Sequence, residues 1–180
     1  MRGKLILSVA LCLLVLLSSL VWGYDDKFGK ADTCRVTVVQ KEKSNKAEAK
    51  VFLFNDEDLA ALTIPLKFGS SKGSSLYCDS VGYSDTRVDY FSWKTATIDS
   101  SAGTVLIGLI ANLSGKLPPL KPGNGQVASI YFTVKKGAKP SVVVLDTCFV
   151  KPSNVLMLVT DDVKEIYPVF NNKNAKIKIK

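Results

Sequence analysis

The sequence contains no histidine. That absence removes the side chain best suited to proton transfer near neutral pH, and with it the commonest zinc ligand. Cysteine does not compensate, because Cys12, Cys34, Cys78 and Cys148 include no Cys-x-x-Cys pair. A phosphate-binding glycine loop is missing too. Paired carboxylates remain a route to glycoside hydrolysis, and Asp79, Asp85, Asp89 and Asp99 lie near aromatics. Each of these also explains itself within a strand or turn, so the chain reads as a non-enzyme that needs no cofactor. Sustained helical periodicity is absent as well; Asp56 to Leu62 could form one turn at most.

Acidic residues are sparse and unspaced. Asp56-Glu57-Asp58 and Asp161-Asp162 are the densest acidic runs and could offer calcium its oxygens. Neither has the Asp-x-Asp-x-Asp-Gly spacing of a calcium loop, so both read as surface turns and no metal is expected. Lysine dominates the charge. The net +8 becomes +6 when Arg2 and Lys4 are removed, and no cluster of arginine with aromatics suggests nucleic acid.

One long apolar run does exist. Met1-Arg2-Gly3-Lys4 precedes an uncharged stretch from Leu5 to Trp22, the layout of a secretory signal. Cleavage is expected after Gly23, and Asp25-Asp26 beyond it offers no stop-transfer pattern, so stable membrane insertion is not expected. Residues 1–23 are thus assigned to the signal, 24–31 to a short leader and 32–180 to one domain. Export to the extracellular space, the cell surface or a bacterial periplasm follows. In such a compartment Cys34, Cys78 and Cys148 can form one bridge, and three pairings are open. Cys34–Cys148 is favoured, because both sit in Asp-Thr-Cys triplets near opposite ends of the domain.

The rest of the chain alternates with the period of strands. Cys34 to Val38, Ala47 to Phe54 and Leu62 to Phe68 each put apolar residues on one face. Pro65 requires an edge, a bulge or a missing donor that points away from its neighbour. Further strands are expected at Leu76 to Tyr83, Arg87 to Trp93, Thr95 to Asp99 and Thr104 to Ala111. The last of these lacks polar alternation, so it is buried on both sides or faces a partner. Leu117 to Gly123, with three prolines, is a crossing loop. After it Ala128, Ile130, Phe132 and Val134 point inward. Strands at Ser141 to Phe149, Val155 to Thr160, Val163 to Val169 and Lys176 to Lys180 complete an all-β, two-sheet jelly-roll sandwich of about nine or more strands.

Val88 to Lys94 stands out as a surface. In an extended chain Asp89, Phe91 and Trp93 share one side, while Val88, Tyr90, Ser92 and Lys94 share the other. Aromatic rings on a strand can stack on sugars or anchor a protein. Phe91 and Trp93 can equally belong to the core.

Three stretches carry a resemblance to bacterial cohesin domains, sandwich modules related in fold to cellulose-binding modules. They are NDEDLAALTIPLKF (55–68), FSWKTATIDSSAGTVLIGL (91–109) and PGNGQVASIYFTV (122–134). The resemblance implies a nine-stranded jelly roll whose flat sheet face binds a partner, such as the calcium-loaded dockerin of a secreted enzyme. It implies that strands near 61–68, 88–93 and 104–111 build that face. Thr63, Lys67, Tyr90, Ser92, Trp93 and Lys94 are the candidate partner-binding residues, on a monomer. The alternatives are a carbohydrate-binding module for polysaccharide and a structural or adhesive surface subunit.

Overall fold

The computed structural model describes residues 29–69, 74–113 and 115–180. The expected signal segment 1–23, most of the leader, and most of the glycine-serine loop after Phe68 lie outside the described residues. All regular elements among them are strands: β1 (Thr33–Val39), β2 (Lys46–Asn55), β3 (Leu59–Lys67), β4 (Leu76–Gly82), β5 (Trp93–Asp99), β6 (Thr104–Ile110), β7 (Gly123–Val134), β8 (Ser141–Val144), β9 (Asp146–Thr147), β10 (Met157–Thr160), β11 (Glu165–Ile166), β12 (Val169–Asn174) and β13 (Lys176–Ile179). They form a five-stranded sheet ordered β12-β1-β2-β7-β4 and a six-stranded sheet ordered β11-β10-β3-β6-β5, with β9 also paired to β3. A two-stranded sheet joins β13 to β8.

Alternation along the strands produces the sandwich. Val36, Ala49, Val51, Leu53, Ile130 and Phe132 of the first sheet face Leu62, Ile64, Leu66, Val105, Ile107 and Leu109 of the second, all in one buried cluster. Phe68 and Phe132 meet edge to face, with ring centroids 5.2 Å apart. Each of these Val, Leu, Ile and Phe side chains contributes about 1.5–3 kcal/mol when withdrawn from water.

Pro65 sits inside the six-stranded sheet, not at its edge. Its carbonyl accepts the Thr147 hydroxyl at 3.2 Å, so its nitrogen also faces that side. There the ladder is interrupted between Met157↔Thr63 of β10 and Thr147↔Leu66 of β9, and no donor is missed. The donor-pointing-away alternative is the one realised.

Two expectations need correcting. Arg87 to Ser92 is not a strand. Asp89 N–H donates to Thr86 O and Phe91 N–H to Val88 O, giving consecutive turns that bury Val88 and Phe91. Alternating residue types imitate a strand here, but the chain is turned by Arg87, whose guanidinium donates to Leu53 O, Gly123 O and Lys121 O at 3.1, 3.0 and 2.6 Å. Nor is a Cys34–Cys148 bridge formed: Cys34, Cys78 and Cys148 are free thiols. Cys34 belongs to β1 of one sheet and Cys148 follows β9 on the other.

Candidate functional site

The outer face of the six-stranded sheet is built from side chains opposite those of the core, and strand register arranges them in four rows. Glu165, Val159, Ala61, Ile110 and Trp93 form the first. Met157, Thr63, Gly108 and Thr95 form the second, and Pro65, Leu106 and Thr97 the third. Asp146, Lys67, Thr104 and Asp99 form the fourth. Three rows are apolar or uncharged across β10, β3, β6 and β5, and charge is confined to the ends of the face. The Lys67 ammonium lies 3.6 Å from the Asp146 carboxylate. Asp99 accepts from Ser101 N–H, Ser101 Oγ–H and Ala102 N–H at 2.9, 2.6 and 2.9 Å, bonds that hold its carboxyl below the usual carboxylate range and close the β5–β6 turn.

Flatness has a specific cause at the centre. A Cβ on Gly108 would come within 3.2 Å of the Trp93 ring and 3.1 Å of the Thr95 methyl. The absent side chain therefore lets the indole lie over β6, where it remains 43% exposed. The outer face of the other sheet differs in chemistry. Arg35 covers the Phe52 ring at 4.5 Å, Lys30 covers Phe54 at 4.8 Å, and Glu48 accepts from Ser129 at 2.7 Å. Phe52 and Phe54 of that face are thus covered by cations of the chain, whereas Tyr131 stays 42% exposed.

Of the sequence-derived candidates, Thr63, Lys67 and Trp93 come together on the flat face. Tyr90, Ser92 and Lys94 sit in the connection entering β5 and hold it in place. Tyr90 Oη donates to Pro119 O at 3.0 Å, Ser92 Oγ accepts Leu113 N–H at 3.0 Å, and Lys94 Nζ donates to Phe91 O at 3.0 Å and to Asp89 O. Phe91 is core and Trp93 is surface, a separation that an extended strand would not have made. Ala61, Leu106, Gly108, Ile110, Met157 and Val159 were not singled out from sequence. The unalternating run 104–111 was the signal for the β6 members, whereas β10 joins through a long-range pairing with no local mark.

The acidic runs separate. Asp161-Asp162 is a turn in which Asp162 pairs with Lys164 at 2.6 Å and accepts the Thr160 hydroxyl at 2.5 Å, which lowers its carboxyl affinity for protons. Asp58 pairs with Lys121 at 2.7 Å. Asp56 and Glu57, by contrast, turn toward Asp32, with one carboxylate oxygen of each within 4.8 Å of the others. Lys30 N–H donates to Asp56 and Asp56 N–H to Asp32, at 2.7 and 3.3 Å, so the cluster stitches the leader to the β2–β3 turn.

Neither a family model nor a curated protein matches the sequence. Solved structures do match the arrangement of strands. A type I cohesin in a cohesin–dockerin complex from Clostridium thermocellum superposes with a TM-score of 0.63 at 13% identity, over 84% of this chain and 99% of the other. The chain has a cohesin-like β-sandwich fold. The third ScaC cohesin of Acetivibrio cellulolyticus, solved with the ScaB dockerin, gives 0.63 at 15% identity over 82% and 98% of the two chains. A non-cellulosomal cohesin from the hyperthermophilic archaeon Archaeoglobus fulgidus gives 0.59 at 11% over 84% and 92%. This cohesin-like chain thus spans nearly the whole of each module it resembles.

Proposed function

We propose that this chain is a non-catalytic protein-binding module that docks a partner on the outer face of β10-β3-β6-β5. The observation that carries the reading is the flat, uncharged surface across Ala61, Thr63, Leu106, Gly108 and Ile110, with Trp93 laid over β6. Such a surface suits burial of a partner, with an aromatic anchor reaching over β6 from the edge strand β5 and charged groups at the rim. The likeness to cohesins solved with dockerins supports a dockerin-like partner. The signal-like 1–23 segment supports action outside the cytoplasm by a mature domain of residues 32–180, probed by N-terminal sequencing of exported protein, which should begin at Tyr24.

The test is titration calorimetry of the purified chain against calcium-loaded dockerin modules. Saturable 1:1 binding is expected. Thr63→Arg or Leu106→Asp should weaken it about thirtyfold or more, the effect of losing a central contact worth about 2 kcal/mol, with unchanged unfolding midpoints. Equal affinity in those variants removes the face from the account. A second reading, polysaccharide binding, is favoured by the exposed Trp93 ring alone; retention on insoluble polysaccharide that is lost in Trp93→Ala would select it.

A further inference from the structure

Lysine side chains converge at the end of the sandwich where the β1–β2 turn meets β13. A shallow depression of about 270 Å³ is lined by Lys41, Lys43, Lys178 and Lys180, with Gln40, Glu42 and Ser44 between them. It is built, not incidental. Gln40 Nε2 donates to Lys178 O and Lys178 N–H donates to Gln40 Oε1, both at 2.9 Å, so one amide side chain locks β13 against the turn. Gln40 also donates to Ser44 O at 3.3 Å, and Lys43 holds a left-handed φ of 59° that bends the turn around the depression. A second depression of about 590 Å³ shares Lys41 and Ser44 with the first and adds Lys46, Val39 and Tyr131. Lys135 stands 4.8 Å over the ring of Tyr77, on the strand beside β7.

Opposing charge is mostly engaged elsewhere. Among the acids lining the two depressions, Glu48 accepts from Ser129 at 2.7 Å with Lys50 at 4.0 Å, and Asp79 accepts from Thr133 at 2.7 Å. Glu42 alone remains beside the lysines, and among the described residues none of Lys41, Lys43, Lys46, Lys135, Lys178 and Lys180 forms an ion pair. Lys41, Lys43, Lys46, Lys178 and Lys180 therefore face solvent along a strip formed by the two adjoining depressions.

We propose that this strip binds an acidic polysaccharide, a linear chain of sugars bearing repeated carboxylate or sulfate groups. The strip has the cations for the charges and Tyr131, 42% exposed, for the apolar face of a sugar ring. Two features point away from other polyanions. All three arginines lie elsewhere in the sequence, so the planar forks that suit phosphodiesters are missing from the strip. No tryptophan, phenylalanine or leucine is exposed in its lining, so a bilayer has little apolar surface to take up. The strip is a different surface from the flat face, and its occupancy does not depend on the docking proposal.

Affinity electrophoresis of the purified chain through polygalacturonate, dextran sulfate and neutral dextran tests this. Retardation is expected with both acidic polymers and not with dextran, weakening as salt shortens the range of the charges. The triple variant Lys41→Gln, Lys43→Asn and Lys178→Gln should bind about tenfold more weakly, as expected for three exposed charge pairs; asparagine at 43 tolerates the left-handed backbone. A control that removes equal charge, Lys30→Gln, Lys116→Gln and Lys151→Gln, should change affinity less than about twofold by the same estimate. Equal losses in the two triples, retention by neutral dextran, or tighter binding to duplex DNA or phosphatidylserine vesicles would overturn the proposal, as would no retardation at all.

Discussion

Arg87 shows how much one side chain can organise. Its three bonds to Leu53, Gly123 and Lys121 carbonyls join the end of β2 to the start of β7 and the loop before it. Burial of the guanidinium lowers its proton affinity, although the group stays charged. Lysine offers no planar fork, so Arg87→Lys is expected to lower stability by about 2 kcal/mol, read from the urea midpoint. Gly125 has no room for a side chain, since a Cβ would stand 2.7 Å from Arg87 Cδ. Gly125→Ala should therefore destabilise the native chain and do so far less in an Arg87→Ala background, a coupling that a double-mutant cycle measures. The thiols give a second prediction at this scale. Desolvation pushes Cys34 from 9.0 to about 12, and desolvation reinforced by Asp79 does the same to Cys78. Their neutral forms are favoured in the fold, so this contribution is complete below pH 9 and is lost as pH rises from 9 toward 12. Urea midpoints should be level near neutrality and decline above pH 9. Cys148, partly exposed and also raised by desolvation, should be the first thiol modified by a maleimide at pH 7.5, with Cys34 reacting only on unfolding.

Among the elements, β13 and β3 make opposite cases. The Lys-Ile-Lys-Ile pattern of β13 is legible from its letters, and Ile177 and Ile179 are buried while the lysines are exposed. Its partner is not legible, because β8 lies more than thirty residues earlier in the chain and pairs through Lys176↔Val144 to Ile179↔Ser141. Ile177→Ala should cost about 2–4 kcal/mol, with faster amide exchange across β8 as the check. In β3, proline suggests an edge, yet Pro65 is central because two different strands share one side of β3 and leave a gap at its nitrogen. The Arg87–Ser92 segment misleads in another way. Alternation of residue type is a necessary mark of a half-buried strand and not a sufficient one, and hydrogen bonds that close turns at Thr86 and Val88 take precedence.

For the molecule as a whole, two surfaces are set apart by what the fold leaves uncovered: a flat uncharged face on one sheet and a cationic strip at one end. Because all three described thiols are free, a reducing agent should leave the thermal midpoint unchanged. A fall of several degrees on adding reductant would mean that Cys34 and Cys148 are joined in the oxidised protein, since a bridge contributes about 2–4 kcal/mol. Local sequence, by itself, determined the all-β class, most strand positions and the inward-facing residues of β7, because a period of two and apolar burial are properties of a few neighbouring residues. The outward direction of Thr63 and Lys67 follows on the same basis, whereas the separation of core Phe91 from surface Trp93 does not. Only the tertiary structure decided that β10 and β6 flank β3, that Gly108 makes room for Trp93, and that lysines from 41 to 180 share one depression. Those relations are set by pairings between strands far apart in the chain, and no local pattern of side chains encodes which strand will lie next to which.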